Sequence, residues 1–182
     1  MDEKIIKVTK VEIAKRQLKE SIRMFFYQHD PISAYTLSAC ANQILTDLCK
    51  LRGICTIGKL NPVIRDDKRE EVCKIFNKTI NFFKHAYKDS DATLDFNAGL
   101  LVFNLLDNII MYHSLKQNLF FEWLLFFVYF CKCYPEYMVD DNFKQQIFHL
   151  LDKLKLNTNI LQYQKILREY DKGEIKLPIL EI

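Results

Sequence analysis

The chain has 182 residues, 49% hydrophobic and 13% aromatic, with four glycines, four prolines and a formal charge of +3. That length suits one domain with its own core, and so few glycines and prolines exclude a many-turned β fold in favour of helices joined by short loops. A charge this mild lacks the basic excess of a dedicated nucleic-acid binder and by itself names no partner.

The opening "MDEKIIKVTK" alternates charges and has no apolar h-region, so it does not read as a secretory signal. In "TKVEIAKRQLKESIRMFFYQH", Thr9 and Glu12 form a capping box. Val11, Ala14, Leu18, Ile22 and Phe25 then recur at helical spacing. Asp30-Pro31 signals a turn, and a second helix follows through "AYTLSACANQILTDLCKLR" to a stop at Gly53. Its small residues Ala34, Ser38, Ala39 and Ala41 permit close helix approach.

The stretch "GICTIGKLNPVIR" is the longest irregular connection. Asp66 or Asp67 is expected to cap a third helix with a buried stripe of Val72, Phe76, Thr79, Phe83 and Ala86. Asn97 is expected to cap a fourth, running to about Lys116. The fifth, Leu119 to Cys131 in "NLFFEWLLFFVYFCKCYP", is apolar nearly all round. It is too short for a bilayer, and Glu122 interrupts it, so it belongs inside a bundle or an oligomer interface. Two amphipathic helices follow, about Asp141 to Leu154 and Thr158 to Asp171, and the tail "GEIKLPILEI" can dock as an extended strap. The expected fold is an all-α single-domain bundle of about six to seven helices over 1–182. Its core covers about 9–171, its apolar fifth helix is central, and 172–182 form an extended tail.

Six cysteines occur, but none forms a zinc pattern. Cys131-Lys132-Cys133 lacks a second pair, and the expectation is reduced thiols in a cytoplasmic protein. Asp89, Asp91 and Asp95 do not make a calcium loop, because the glycine and glutamate positions hold Leu94 and Leu100. No Gly-rich phosphate loop, G-x-S-x-G elbow, H-E-x-x-H or dinucleotide fingerprint is present, so neither metal nor cofactor is expected.

Three groups of polar residues are candidates for chemistry. Asn81, His85 and Asp89 recur one helical turn apart, and a histidine between an amide and a carboxylate can act as a general base. Lys84 and Lys88 flank them as phosphate ligands, and Arg16, Lys19 and Arg23 share a basic ridge on the first helix that suits RNA phosphates or an acidic partner. The bland alternative for the first cluster is a solvated helix end. Asn104, Asp107 and Glu122 interrupt apolar helices. If buried they must be paired, and they are the candidate lining of a small-ligand pocket. His113 and His149 read as core or interface histidines.

At "AKRQLKESIRMFFYQHDPISAYTLSACANQILTDL" and "NFFKHAYKDSDATLDF" the chain resembles a family of uncharacterised bacterial all-helical proteins, over roughly residues 9 to 116. It is also similar to the HEPN superfamily, whose helical bundles commonly dimerise and often cleave RNA. That resemblance implies a metal-independent ribonuclease or RNA binder with His85 as base. The family's motif places an arginine four to six residues before the histidine, followed by a polar residue. Asn81 and His85 lack that arginine, and the Arg23/His29 spacing has Met24 at the polar position. The functional expectation is a helical-bundle protein acting by association, as a homodimer, because one domain of this size has much apolar surface to hide.

Overall fold

The computed structural model describes residues 5–54, 74, 77–85, 90–135, 145, 148–149 and 154–175. Thr9 starts the first helix, α1 (Lys10–Phe26), on a closed capping box. Its Oγ1 accepts from the Glu12 amide at 3.2 Å, and Glu12 Oε2 accepts from the Thr9 amide at 2.7 Å. The Asp30 carboxylate accepts from the Ile32 and Ser33 amides at 3.3 and 2.8 Å, with Pro31 at the first position of α2 (Pro31–Leu51). Past its end Gly53 takes a φ of +66°, a conformation that favours glycine.

Three more helices follow: α3 (Leu100–Ser114), α4 (Phe121–Cys133) and α5 (Ile160–Asp171). Residues 77–84 are also helical, and no strand occurs among the described residues. The protein is all-α.

Some boundaries differ from the sequence expectation. Asn97 accepts from the Gly99 amide at 2.9 Å, which holds a turn just ahead of α3, and Gly99 is the N-cap. The helix α4 starts and ends two residues later than Leu119–Cys131, since Pro135 sets its end and Tyr134 is the C-cap. The helix expected from about Thr158 starts at Ile160, capped by Asn159. The Asp66/Asp67 start of the third predicted helix lies outside the described residues, as do Val72, Phe76 and Ala86 of its stripe, most of Asp141–Leu154, and the tail from 176. Of that stripe Thr79 is buried and Phe83 half-buried.

Side-chain pairings give the topology. Ser21 Oγ donates to the Ala34 carbonyl at 2.6 Å across the α1–α2 hairpin. Between α2 and α3 the pairs ascend together, Ser38 with Asn104, Asn42 with Asn108, Cys49 with Met111 and Arg52 with Leu115, so these two helices run parallel. Parallel neighbours need a crossover, and the segment between them, including 77–84, supplies it. Trp123 Nε1 donates to the Ile109 carbonyl at 2.8 Å, and Phe103 meets Phe130, so α4 returns antiparallel to α3. Tyr163 stacks on Phe26 and lies edge-on to Tyr129, while Tyr170 meets Phe121, so α5 is antiparallel to α1 and α4.

Ten of the thirteen residues of α4 are buried within the single chain. The apolar rod that motivated the homodimer expectation is thus covered by its own fold. No described helix is long and apolar enough to cross a membrane.

One charged residue goes inside with α4. Glu122 is 1% exposed, and its Oε1 accepts from Arg23 Nη1 at 2.8 Å and lies 3.4 Å from Lys19 Nζ. Arg23 also pairs with Asp171 of α5, and its guanidinium sits 5.8 Å from the Tyr27 ring centre. A buried carboxylate without its cation is costly, on the order of 3 kcal/mol. Arg23→Ala is therefore expected to lower unfolding stability by about 3 kcal/mol in urea titrations, and adding Glu122→Leu to recover most of it. A single variant with wild-type stability would contradict the cluster's role.

Candidate functional site

Asn104 and Asp107, which interrupt the apolar pattern of α3, and their neighbour Asn108 meet polar residues on α2, and together they form a buried seam. Ser38 and Asn42 lie one turn apart on α2, as do Asn104 and Asn108 on α3, so the four side chains interleave where the small residues of α2 let the helices close. Ser38 Oγ donates to Asn104 Oδ1 at 2.5 Å. Asn108 Nδ2 donates to the Ser38 carbonyl at 2.7 Å and to Ser38 Oγ at 2.9 Å. Asn42 Nδ2 donates to Asn108 Oδ1 at 2.9 Å and to Asp107 Oδ2 at 2.8 Å.

The seam fixes which way each amide points. The Ser38 carbonyl can only accept, so it holds Asn108 with Nδ2 inward and Oδ1 toward Asn42. The Asp107 carboxylate holds Asn42 from the other end. Ser38 Oγ, already accepting from Asn108, needs an acceptor for its own hydrogen and finds it in Asn104 Oδ1.

This arrangement leaves specific polar atoms without partners. Asn104 is 3% exposed, yet its Nδ2 makes no hydrogen bond among the described residues. Both hydrogens of Asn42 Nδ2 are used inside the seam, but its Oδ1 accepts none there. Tyr35 is fully buried, and burial pushes the pKa of its hydroxyl up to about 12.

Asn104, Asn42 and Tyr35 all line one cleft, closed from the crossover by Asn77, Ile80 and Lys84. About 50 Å³ of it admits the centre of a water-sized molecule. A single water needs roughly 10–15 Å³ on that measure, so a few waters or a small polar group fit. Lys84 is exposed at the rim and has no ion pair among the described residues.

The predicted site residues are distributed as follows. Lys84 from the phosphate group and Asn104 from the pocket group meet at this cleft, with Asp107 one hydrogen bond behind through Asn42. Glu122 does not belong with them, because it faces α1 in the ion cluster. Lys19 and Arg23 of the basic ridge are engaged by that same carboxylate, while Arg16 is exposed on α1. Asn81 and His85 are exposed at the end of the 77–84 stretch, where the His85 amide donates to the Asn81 carbonyl at 3.1 Å. Asp89 and Lys88 lie outside the described residues. Among the described residues no three His, Cys, Asp or Glu side chains gather to hold a metal.

The sequence reading missed Tyr35 and Asn42 and treated Ser38 only as a small residue. The one-turn spacing of Ser38 and Asn42, repeated by Asn104 and Asn108, was the available signal. No family model matches the chain, and no curated protein or solved structure is significantly similar to it.

Asp107 is the strained member of the seam. Its Oδ1 is buried without a hydrogen bond, and burial, only partly offset by the Asn42 bond, pushes its pKa from 3.8 up to about 7. The folded chain therefore holds this proton more tightly than the unfolded chain. The stabilisation is fully present below about pH 4 and is lost as pH rises to about 7, with a slope of at most about 1.4 kcal/mol per pH unit. Asp107→Asn is expected to flatten the wild-type decline between pH 4 and 7 in denaturation series. An unchanged slope would place the titration elsewhere.

Proposed function

We propose that this protein is a small-ligand-binding helical protein, with the cleft between α2, α3 and the 77–84 stretch as its binding site. The observation that carries this reading is the Asn104 side chain, buried and held by Ser38, with an uncommitted amide donor at the cleft. That donor is open to the cleft, where a ligand acceptor can take the place of water. Ligand sites typically combine a mostly preformed concavity with a few fixed polar groups, and the seam supplies those groups on two rigid helices.

A thermal-shift screen with small polar metabolites tests this. A true ligand at ten times its Kd is expected to raise Tm by about 4 °C. Gln43→Trp, a bulky ring at an exposed position on the cleft's edge, should abolish the rise while leaving the helical circular dichroism intact. No shift with any compound, or an equal shift in the variant, would contradict the reading.

A second reading, association of two copies, is supported by the exposed apolar segment ahead of α1. There Ile5, Ile6 and Val8 are 89%, 54% and 40% exposed. Light scattering during size exclusion is expected to show a dimer that Ile5→Glu/Ile6→Glu disperses; a monomeric wild type would reject it. The HEPN-like reading has less support in the geometry, because Lys19 and Arg23 of its ridge are engaged by the buried Glu122 carboxylate.

A further inference from the structure

The ligand's chemistry follows from what the seam leaves uncommitted, and resting on the binding reading above, we infer that the cleft takes a small oxyanion that retains an O–H group. A phosphate or phosphate monoester near neutral pH, or a short hydroxycarboxylate, has that form.

Two donors point to the oxyanion. Asn104 lines the cleft and its Nδ2 makes no hydrogen bond among the described residues. The Lys84 ammonium at the rim supplies a positive charge. Lysine binds phosphate as a compact point charge, and neutral amide donors complete such sites.

The need for an O–H comes from Asn42. Its Nδ2 is locked by Asp107 and Asn108, so it can offer the cleft only its carbonyl oxygen, and the amide cannot turn over without breaking both bonds. A fully deprotonated anion such as sulfate would set one of its oxygens against that acceptor. Hydrogen phosphate, or the hydroxyl of glycolate, would donate to it instead. A site built to hydrogen-bond a ligand hydroxyl discriminates strongly against analogues without one, because its own buried group is then left unpaired. Asp107 lies behind Asn42, and its raised pKa lessens the negative charge that an entering anion meets at neutral pH.

Calorimetric titration of the full chain with sodium phosphate, glycolate, sulfate and ethylamine at matched ionic strength and pH 7 tests this. Phosphate or glycolate is expected to bind at least tenfold more tightly than sulfate, and the stronger of the two identifies the source. Lys84→Gln, at an exposed position, should weaken that binding about fivefold. Sulfate binding as tightly as phosphate overturns the O–H requirement. Ethylamine binding while the anions do not overturns the oxyanion assignment but leaves the cleft as a binding site. If none of the four binds and the metabolite screen is also blank, the binding reading itself falls.

Discussion

Two parallel helices cannot close on each other through a strip of amides unless most of the buried polar atoms find partners, and the α2–α3 seam is where this protein meets that constraint. Ser38, Asn42, Asn104, Asn108 and Asp107 form one connected network. Burying such groups without bonds costs several times what an average hydrogen bond contributes. Sliding α3 along α2 by a fraction of a turn would break these bonds together, so the network helps to hold the register. An apolar contact of the same area would be far more tolerant of slippage.

The second polar device works on the other side of the bundle. Glu122, Arg23, Lys19 and Asp171 tie α4 to α1 and α5, next to the aromatic cluster of Phe25, Phe26, Phe126, Tyr129 and Tyr163. Aromatic rings supply most of the burial there, and the ions fix which faces meet. Each device leaves one buried carboxylate oxygen without a hydrogen bond, Glu122 Oε2 in the ion cluster and Asp107 Oδ1 in the seam. The ion cluster sits at a helix junction with its cations partly in water. The seam borders a cleft, and that is why the candidate site belongs to α2 and α3.

The local elements were legible because their signals are local. The Thr9–Glu12 box, the Asp30-Pro31 start and the Gly53 stop each depend on a few neighbouring residues. The α4 rod was legible as buried, but its surroundings were not. Composition says that apolar surface must be hidden, not whether one chain suffices, and here one chain does. Asn104, Asp107 and Glu122 were singled out together because each interrupts an apolar helix. Periodicity cannot say which neighbour each faces, and the parallel crossover sends Asn104 toward α2 while Glu122 meets α1. The polar face of Asn81 and His85 suits a solvated helix end or a catalytic cluster, and both residues are exposed. Lys84, on the same stretch, reaches the cleft only because the crossover returns over the first half of α2, a long-range fact with no local signature.

The account turns on one asymmetry among three neighbouring amides, and side-chain amide hydrogen exchange by NMR reads it directly. The Asn42 and Asn108 NH₂ groups, bonded within the seam, are predicted to exchange slowly, while that of Asn104, open to the cleft, exchanges at least an order of magnitude faster. Equal protection of all three, or fast exchange at Asn108, would mean that the seam is not assembled as described and that the cleft has no free donor.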